Sequence, residues 1–273
     1  MSNDAPRNAS TENSGGPRDF WFESDGTRLF AVEDGKGRPL IMLHGALVNH
    51  LASVPLVGAL ASRFRVITPD LRSSGKSVDA RPLTWDRLAD DVAALLHQLG
   101  ADRAVVGGVS SGSGVALRFA LRYPEKTVGL VLVTPVYGGE ERGLTAQQTA
   151  TFKLMDEVGS RAIDEGVQVL RSLYEHLPPP IREKVLAMIA GFDAASVAST
   201  THFIASGAQP FTSAADLRGL AVPTLLIPGN DPLHPAEVSS LYATHIPNCA
   251  VSEPQNADRA AVIGDFCERS AAW

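Results

Sequence analysis

The chain has 273 residues, of which 44% are hydrophobic and 20% charged, and its formal net charge is −6 at pH 7. A chain of this length can bury a sizeable core, which excludes disorder or a fibrous structure for the molecule as a whole. Because the chain is mildly acidic and has no block of Lys or Arg, nucleic acid is not an expected partner. It also has no run of about 18 apolar residues, so no membrane span is expected.

The first 18 residues are expected to form a disordered tail, since they are rich in Asn, Ser and Gly. They lack the apolar segment of a signal peptide, which favours a cytoplasmic protein. The chain has only two cysteines, Cys249 and Cys267, too few for a metal cluster or a set of disulfide bonds. We therefore expect both to be buried thiols.

From Phe20 onwards, short apolar runs alternate with helix-like stretches, the pattern of a mostly parallel sheet covered by helices. The Asp25-Gly26 turn predicts an antiparallel hairpin with strands at 20–24 and 29–33. Continuous apolar runs predict strands that are buried on both faces at 40–43, 66–69, 104–109, 128–133 and 224–227, followed by a weaker strand at 249–253. Helices are predicted at 84–99, 111–123, 235–245 and 256–269, with Thr84 placed to cap the first of them.

Residues 138–216 interrupt this alternation, because they contain no convincing strand. Helices are predicted there at 145–158, 160–176, 180–190 and 193–206. We interpret this stretch as a helical lid inserted into a core formed by residues 19–137 and 217–273. At the carboxyl ends of the strands, where ligands of open α/β sheets bind, it would cover the site.

The strongest functional signal is the pentapeptide Gly108-Val109-Ser110-Ser111-Gly112. It matches the pattern G-x-S-x-G and lies between a predicted strand and a predicted helix, the context in which this pattern carries a nucleophilic serine. The sharp turn exposes the Ser110 hydroxyl, and the N–H groups at the start of the helix suit a developing oxyanion. The alternative is a turn rich in Gly and Ser without chemistry, which the flanking strand and helix disfavour.

With this motif, the chain resembles the α/β-hydrolase superfamily, in particular the lid-bearing esterases, lactonases and C–C hydrolases. His44-Gly45-Ala46, after the third predicted strand, is similar to the oxyanion turn of the family. Residues 70–77 (Asp-Leu-Arg-Ser-Ser-Gly-Lys-Ser) resemble its loop D-x-R-G-x-G-x-S, with Ser73 in place of the first glycine. The resemblance implies an α/β fold, a mostly parallel sheet flanked by helices with an inserted all-helical lid.

The resemblance also implies roles for individual residues. The backbone N–H groups of Ala46 and Ser111 would form the oxyanion hole. Residues 228–235 (Pro-Gly-Asn-Asp-Pro-Leu-His-Pro) look like the segment that carries the acid of the catalytic triad. Asp231 is the expected acid, because Pro235 keeps the spacing of the family.

The histidine of the triad is missing from its usual place. In the family it follows the last strand, which corresponds here to residues 253–259 (Glu-Pro-Gln-Asn-Ala-Asp-Arg). Neither Gln255 nor Asn256 is basic enough to accept the serine proton, and Arg259 stays protonated.

His234 is the candidate replacement, because it follows Asp231 by three residues in a loop that is expected to border the site. Asp231 or Glu253 would orient it. The alternative is a histidine that lines the pocket wall or caps a helix. His176 and His202, in the predicted lid, are further candidates.

These residues favour a serine hydrolase that acts on a small, mostly apolar ester, lactone or related acyl substrate through an acyl-enzyme at Ser110. No cofactor or metal is expected. The incomplete triad leaves two alternatives open: a protein that binds a small apolar ligand with little or no turnover, and non-hydrolytic chemistry in the same pocket. The apolar residues of the predicted lid either line the substrate pocket or pack the lid on the core: Leu154, Met155, Leu170, Leu173, Ile189, Phe192, Phe203, Ile204 and Phe211.

Overall fold

The described part of the chain, residues 16–252 and 258–270 of a computed structural model, is built around one eight-stranded sheet. Its strands are β1 (Arg18–Ser24), β2 (Thr27–Asp34), β3 (Pro39–Leu43), β4 (Arg65–Pro69), β5 (Ala104–Val109), β6 (Thr127–Val133), β7 (Thr224–Ile227) and β8 (Cys249–Val251). They lie in the order β1-β2-β4-β3-β5-β6-β7-β8. The pairs β1–β2 and β2–β4 are antiparallel and the other neighbours are parallel, which confirms the predicted mostly parallel sheet.

Helices connect the strands and cover both faces of the sheet. Those in the described residues are α1 (Val54–Leu60), α2 (Trp85–Gln98), α3 (Ser111–Arg122), α4 (Ala146–Glu165), α5 (Pro179–Ile189), α6 (Ala194–Ala205), α7 (Ala214–Arg218), α8 (Ala236–His245) and α9 (Arg259–Arg269). Short 3₁₀ helices lie at His50–Ser53, Pro124–Lys126 and Val167–Tyr174. As predicted, the Thr84 side chain caps α2, where it accepts a hydrogen bond from the Arg87 amide.

The sheet has a buried apolar layer on each face, because successive strand residues point to opposite sides. In β5, Val106 belongs to the layer that also contains Leu88 of α2 and Leu117 of α3. Its neighbour Val105 belongs to the other layer, together with Ile263 of α9. Strands buried on both faces have continuous apolar sequences, which explains why these strands could be predicted from the sequence.

The first strand begins earlier than predicted. Arg18, which the sequence placed in the tail, opens β1 because its guanidinium pairs with Glu33 on β2 at 2.7 Å. Of the remaining residues of the predicted tail, 1–15 lie outside the described residues, and 16 and 17 precede the strand without regular secondary structure. At the hairpin, Asp25 and Gly26 both have positive φ angles, 46° and 67°, as a two-residue turn between twisted strands requires.

The helices between β6 and β7 differ in detail from the prediction. Instead of two helices separated near residue 159, α4 continues through Gly159 to Glu165. A Cβ atom on Gly159 would lie 2.2 Å from the hydroxyl oxygen of Thr201 on α6, so this glycine allows two helices to pack closely and does not end one. The helix ends at Gly166, whose φ is 85°. The single helix predicted over residues 160–176 is therefore divided between the end of α4 and the 3₁₀ helix Val167–Tyr174.

Three smaller differences concern the last third of the chain. The short helix α7 was not predicted. The last strand ends at Val251, and residue 253 of the predicted strand lies outside the described residues. The final helix begins at Arg259, where Asp258 accepts hydrogen bonds from the first amides, while residues 256 and 257 of the predicted helix are also outside the described part. No helix among the described residues is long and apolar enough to cross a bilayer.

Candidate active site

Ser110 lies in the sharp turn between β5 and α3, at the carboxyl edge of the sheet. Its φ of 55° and ψ of −121° are strained for a residue with a side chain. The neighbouring glycines leave no space for side chains. A Cβ atom on Gly108 would lie 2.0 Å from the Gly112 carbonyl oxygen, and a Cβ atom on Gly112 would lie 2.4 Å from the His44 carbonyl oxygen. These contacts explain the spacing of glycines around the serine.

The turn after β3 lies beside this serine. A Cβ atom on Gly45 would be 3.9 Å from Ser110 Oγ. The Leu71 amide donates to His44 Nε2 at 2.9 Å, so Nδ1 carries the proton and donates to the Gly45 carbonyl oxygen at 2.7 Å. This carbonyl and the Ala46 N–H belong to one planar trans peptide and point in opposite directions, so His44 fixes the direction of the Ala46 N–H.

Ala46 and Ser111, the two residues of the expected oxyanion hole, line the same cavity. Within residues 16–252 and 258–270, neither backbone amide donates a hydrogen bond to another group. The Ser111 amide is at the first position of α3, where helix geometry leaves it free. Two unpaired N–H groups beside a nucleophile suit a developing negative charge.

The loop after β7 brings a histidine to the serine. His234 Nε2 lies 3.0 Å from Ser110 Oγ, and His234 Nδ1 lies 2.9 and 2.8 Å from the two carboxylate oxygens of Asp231. Because a carboxylate only accepts, Nδ1 carries the proton and Nε2 is free to accept the serine proton. The His234 side chain is 17% exposed and that of Asp231 is 54% exposed.

Asp231 also shapes the turn that carries His234. Its Oδ1 atom accepts hydrogen bonds from the amides of Leu233 and His234, at 2.9 and 3.0 Å. Partial burial raises the pKa of Asp231, but the hydrogen bond and electrostatic attraction of His234, together with the two amides, outweigh this effect. The pKa of Asp231 is therefore below its ordinary value of 3.8, which keeps the carboxylate ionised and able to orient the imidazole.

Gln148, at the start of α4, is a functional candidate that the sequence did not suggest. Its Nε2 atom donates to the carbonyl oxygens of Val136 and Leu233, both at 2.9 Å, and its side chain is buried. Gln148 thus connects α4 to the loop that holds His234. In the sequence, Gln148 is recognisable only as the partner of Thr145 in a capping box. This pattern predicts the start of a helix but not the contacts with the two loops.

The helices between β6 and β7 also contact the turn after β3. Leu47, which follows Ala46, has a φ of 54° and is buried among Val158, Leu170 and Ile189. Tyr174 Oη donates to the Leu47 carbonyl oxygen at 3.0 Å. These helices therefore touch both the turn that contains Ala46 and the loop that contains His234.

The other candidates from the sequence lie away from Ser110. His176 is exposed, and the His202 side chain is 81% exposed and faces Asp156 at 3.6 Å. Glu253, the alternative partner of His234, lies outside the described residues, as do Gln255 and Asn256. Cys267 is buried as predicted, whereas Cys249 is only partly buried because it lies on the edge strand β8.

A small cavity of about 30 Å³ adjoins Ala46 and Ser111. This volume has room for roughly two water molecules. Of the apolar residues that the sequence offered for a pocket, Phe203 and Ile204 line it, whereas Leu170 and Ile189 pack in a separate core with Leu47. Among the described residues, no group of three or more His, Cys, Asp or Glu is arranged to hold a metal ion.

The model of the alpha/beta hydrolase family matches residues 40–258, which is most of the chain. The chain belongs to this family. A curated relative, the AB hydrolase superfamily protein YisY of Bacillus subtilis, is 38% identical over 99 residues, which are 35% of this chain and 36% of that protein. The matched segment covers about a third of the length of this relative and of two other curated relatives.

Two solved structures of this family have the same fold. A thermophilic esterase from Thermogutta terrifontis superposes with a TM-score of 0.70 at 25% identity, over 86% of this chain and 88% of that one. The enol-lactonase of Burkholderia xenovorans LB400 gives a TM-score of 0.73 at 21% identity, over 91% and 100% of the two chains. The predicted α/β-hydrolase fold is therefore confirmed.

Proposed function

We propose that this hydrolase-fold protein is a serine hydrolase that cleaves a small, uncharged ester or lactone through an acyl-enzyme at Ser110. The observation that carries the proposal is the pair of contacts made by His234: Nε2 lies 3.0 Å from Ser110 Oγ, while Nδ1 lies within 2.9 Å of both Asp231 oxygens. These distances fall within the range that proton transfer requires. The family to which the chain belongs agrees with such an activity.

Acylation begins when Ser110 Oγ attacks the substrate carbonyl carbon and His234 Nε2 takes the serine proton. The ionised Asp231 stabilises the imidazolium through the hydrogen bond to Nδ1. The carbonyl oxygen gains a negative charge in the tetrahedral intermediate, which the Ala46 and Ser111 amides stabilise. When this intermediate collapses, the bond to the alcohol oxygen breaks and His234 returns its proton to that oxygen.

Deacylation repeats the same steps with water. His234 Nε2 removes a proton from a water molecule, whose oxygen attacks the acyl carbon of the Ser110 ester. Collapse of the second intermediate releases the carboxylic acid and returns the proton to Ser110 Oγ. The chain needs no cofactor for either half of this reaction, because base, acid and oxyanion donors are all amino-acid groups.

The helices of residues 138–216 are proposed to act as a lid over a core of residues 19–137 and 217–273. The contacts of Gln148 with Leu233 and of Tyr174 with Leu47 support this role, because they bring the helical segment to two edges of the site. Phe203 and Ile204 of α6 line the cavity beside the oxyanion amides. A lid in this position would exclude water around the acyl group.

The test is hydrolysis of p-nitrophenyl acetate and p-nitrophenyl butyrate by the wild type, Ser110→Ala, His234→Ala and His202→Ala. We expect kcat to fall by about 10³-fold or more in the first two variants. The His202 variant is the matched control, since this exposed histidine makes no contact with Ser110, and it should keep the wild-type rate. A fluorophosphonate should label Ser110 in the wild type and not in Ser110→Ala.

Two outcomes would contradict the proposal. If the wild type neither turns over these esters nor reacts with the fluorophosphonate, the serine is not activated and the fold serves ligand binding or other chemistry. If Ser110→Ala abolishes turnover but His234→Ala does not, the proposed role of His234 is wrong and another residue is the base.

A further inference from the structure

Leu47, the residue after Ala46, is part of the apolar core of the helical segment, residues 138–216. Its side chain is 2% exposed and belongs to one apolar cluster with buried residues of α4, the 3₁₀ helix Val167–Tyr174, α5 and α6: Val158, Ala162, Leu170, Ile189 and Val197. In the described part of the chain, every other member of this cluster lies within residues 138–216. The helical segment therefore encloses one leucine of the turn after β3.

The backbone of Leu47 has a conformation that its side chain disfavours. Its φ angle is 54°, in the left-handed region that residues other than glycine and asparagine rarely adopt. Such a conformation persists only where the surrounding structure holds it. The apolar cluster around the Leu47 side chain can do so, because burial of a leucine is strongly favourable. Without this contact, we expect the backbone to return to an ordinary φ angle.

Two hydrogen bonds join the same helical segment to the backbone of this turn. Tyr174 Oη donates to the Leu47 carbonyl oxygen at 3.0 Å, and the Asn49 amide donates to Met188 Sδ on α5 at 3.3 Å. Burial raises the pKa of Tyr174 to about 12, so its hydroxyl stays protonated and able to donate. The helical segment thus contacts the side chain of Leu47 and the backbone at both Leu47 and Asn49.

Ala46 lies between two restraints of different origin. On one side, His44 donates to the Gly45 carbonyl oxygen, which fixes the direction of the Ala46 N–H within their shared peptide. On the other side, the Cα atom of Ala46 is one peptide unit, about 3.8 Å, from the Cα atom of Leu47. A movement of Leu47 therefore displaces the Ala46 N–H, whereas Ser111, the other oxyanion donor, opens α3. The helical segment is thus placed to control one of the two donors.

We propose that Leu47 and Tyr174 are positioning residues through which the helical segment controls the oxyanion hole. With the helices packed around Leu47, the Ala46 N–H points at the developing oxyanion. When the helices move away, Leu47 leaves its left-handed conformation and this donor is lost. The inference rests on the proposed serine hydrolase function and adds a condition to it, because the oxyanion hole is complete only while the helical segment is in place. Closure over the substrate would then assemble the catalytic site.

The test measures kcat, KM and the affinity for a transition-state analogue in the wild type and in Leu47→Ala. The analogue is butyl trifluoromethyl ketone, because Ser110 Oγ adds to its carbonyl carbon and leaves a negative oxygen in the oxyanion hole. Loss of a whole oxyanion donor reduces kcat by about 10²–10³-fold, and a misplaced donor keeps part of its effect. We therefore expect kcat for p-nitrophenyl butyrate to fall by about tenfold to 10²-fold, with a smaller change in KM. The ketone should bind more weakly by a similar factor.

Matched variants separate positioning from a general loss of stability. Leu60→Ala removes a similarly buried leucine from α1 and should keep the kcat of the wild type. Leu47→Met keeps an apolar side chain of similar volume, and its kcat should stay within about threefold of the wild type. The pH dependence of kcat/KM should be the same in Leu47→Ala and the wild type, because His234 keeps its contacts with Ser110 and Asp231. Kinetics are measured at a temperature at which circular dichroism shows each variant to be folded.

Tyr174→Phe tests the same link without truncating the apolar cluster. It removes one hydroxyl group, so the Leu47 carbonyl oxygen loses its partner, and kcat should fall by about threefold to tenfold. Tyr123→Phe is its control, since it removes a hydroxyl that donates to Asp90 at 2.6 Å, and its kcat should not change. This pair of variants decides the inference if Leu47→Ala does not fold.

The outcomes separate this inference from the proposed function. If Ser110→Ala abolishes hydrolysis but Leu47→Ala and Tyr174→Phe keep their kcat and their affinity for the ketone, the helical segment does not control the oxyanion hole and the inference is wrong. The inference is also wrong if these two variants lose no more activity than Leu60→Ala and Tyr123→Phe. If Ser110→Ala hydrolyses the esters as fast as the wild type does, the proposed function itself has failed, and this inference fails with it.

Discussion

Gln148 Nε2 lies 2.9 Å from the carbonyl oxygen of Leu233, the residue directly before His234. The amide of Gln148 is buried and also donates to Val136, so the start of α4 is joined to the loops after β6 and β7. The hydrogen bond therefore links α4 to the loop of the residue proposed as the catalytic base.

Replacing Gln148 with Met should impair catalysis more than it impairs folding. The change keeps the side-chain length but removes both donors, so the Leu233 carbonyl loses its partner and His234 is held less firmly. A displacement of about 1 Å at a reacting group can reduce the rate by about 10²-fold, so we expect kcat to fall by about tenfold to 10²-fold with a smaller change in KM. Steady-state kinetics with p-nitrophenyl acetate measures both parameters.

Thr145→Ala is the control for this prediction. It removes the hydroxyl that caps α4, at a cost of about 1 kcal/mol in unfolding free energy, but leaves the Gln148 side chain its bonds to Val136 and Leu233. Its kcat should stay close to that of the wild type. Equal losses of kcat in the two variants would mean that α4 affects the site only through its stability.

The fold could be predicted from the sequence because its signals are local. Strands buried on both faces appear as apolar runs, and the turn around Ser110 carries its own glycine pattern. The error at Gly159 arose because a glycine that permits contact with Thr201 looks the same in sequence as one that ends a helix. Only the position of α6 distinguishes the two cases.

The candidate site could be predicted only in part. The pairing of His234 with Ser110 joins residues 124 positions apart, and the sequence offered it as one of several alternatives, since their distance depends on how the loops after β5 and β7 meet. Gln148 gave no functional signal at all. A buried glutamine becomes informative only when its hydrogen-bond partners are known.

The unfolding free energy should fall when the pH drops below about 6.5, in part because of His44. Burial lowers the pKa of His44 below its ordinary value of 6.5, although the charge of Asp70 and the hydrogen bond to Gly45 partly oppose this effect. Between the lowered pKa and 6.5, the unfolded chain binds a proton that the folded protein does not. The contribution of His44 is thus complete above its unfolded pKa and is lost as the pH falls to the folded pKa.

Urea unfolding of the wild type and of His44→Gln, at several pH values from about 7.5 down to about 5, measures this contribution. The dependence on pH should be shallower in the variant, because the other six histidines are common to both proteins. Parallel curves for the two proteins would show that His44 does not titrate differently in the folded and unfolded states.

Replacing Arg72 with Met should strongly destabilise the protein. The Arg72 side chain is fully buried and pairs with Asp79 and Asp91, which are nearly as buried. Without the guanidinium, the buried Asp91 carboxylate loses its ion-pair partner, whereas Asp79 keeps its pair with Arg81. We expect a loss of about 3–5 kcal/mol in unfolding free energy. Arg122→Met, which breaks an exposed pair with Asp90, should cost less than about 1 kcal/mol in the same urea titration. Similar losses in the two variants would argue against this account.

Replacing Gly229 with Ala should displace His234 and thereby reduce activity. A Cβ atom at Gly229 would lie 2.4 Å from His234 Cβ and 2.8 Å from its carbonyl oxygen, so the backbone between them must move apart. Because Asp231 and His234 lie on this loop, the shift changes the distance from His234 Nε2 to Ser110 Oγ, and kcat should fall by about 10²-fold.

Gly58→Ala is the matched control, since no atom lies within 4 Å of the added methyl group. In the interior of α1 that methyl group should raise the unfolding free energy by about 0.5–1 kcal/mol and leave kcat unchanged. A Gly229→Ala protein with the wild-type kcat would show that the reaction does not depend on the position of His234, and it would direct the search for the base to another residue.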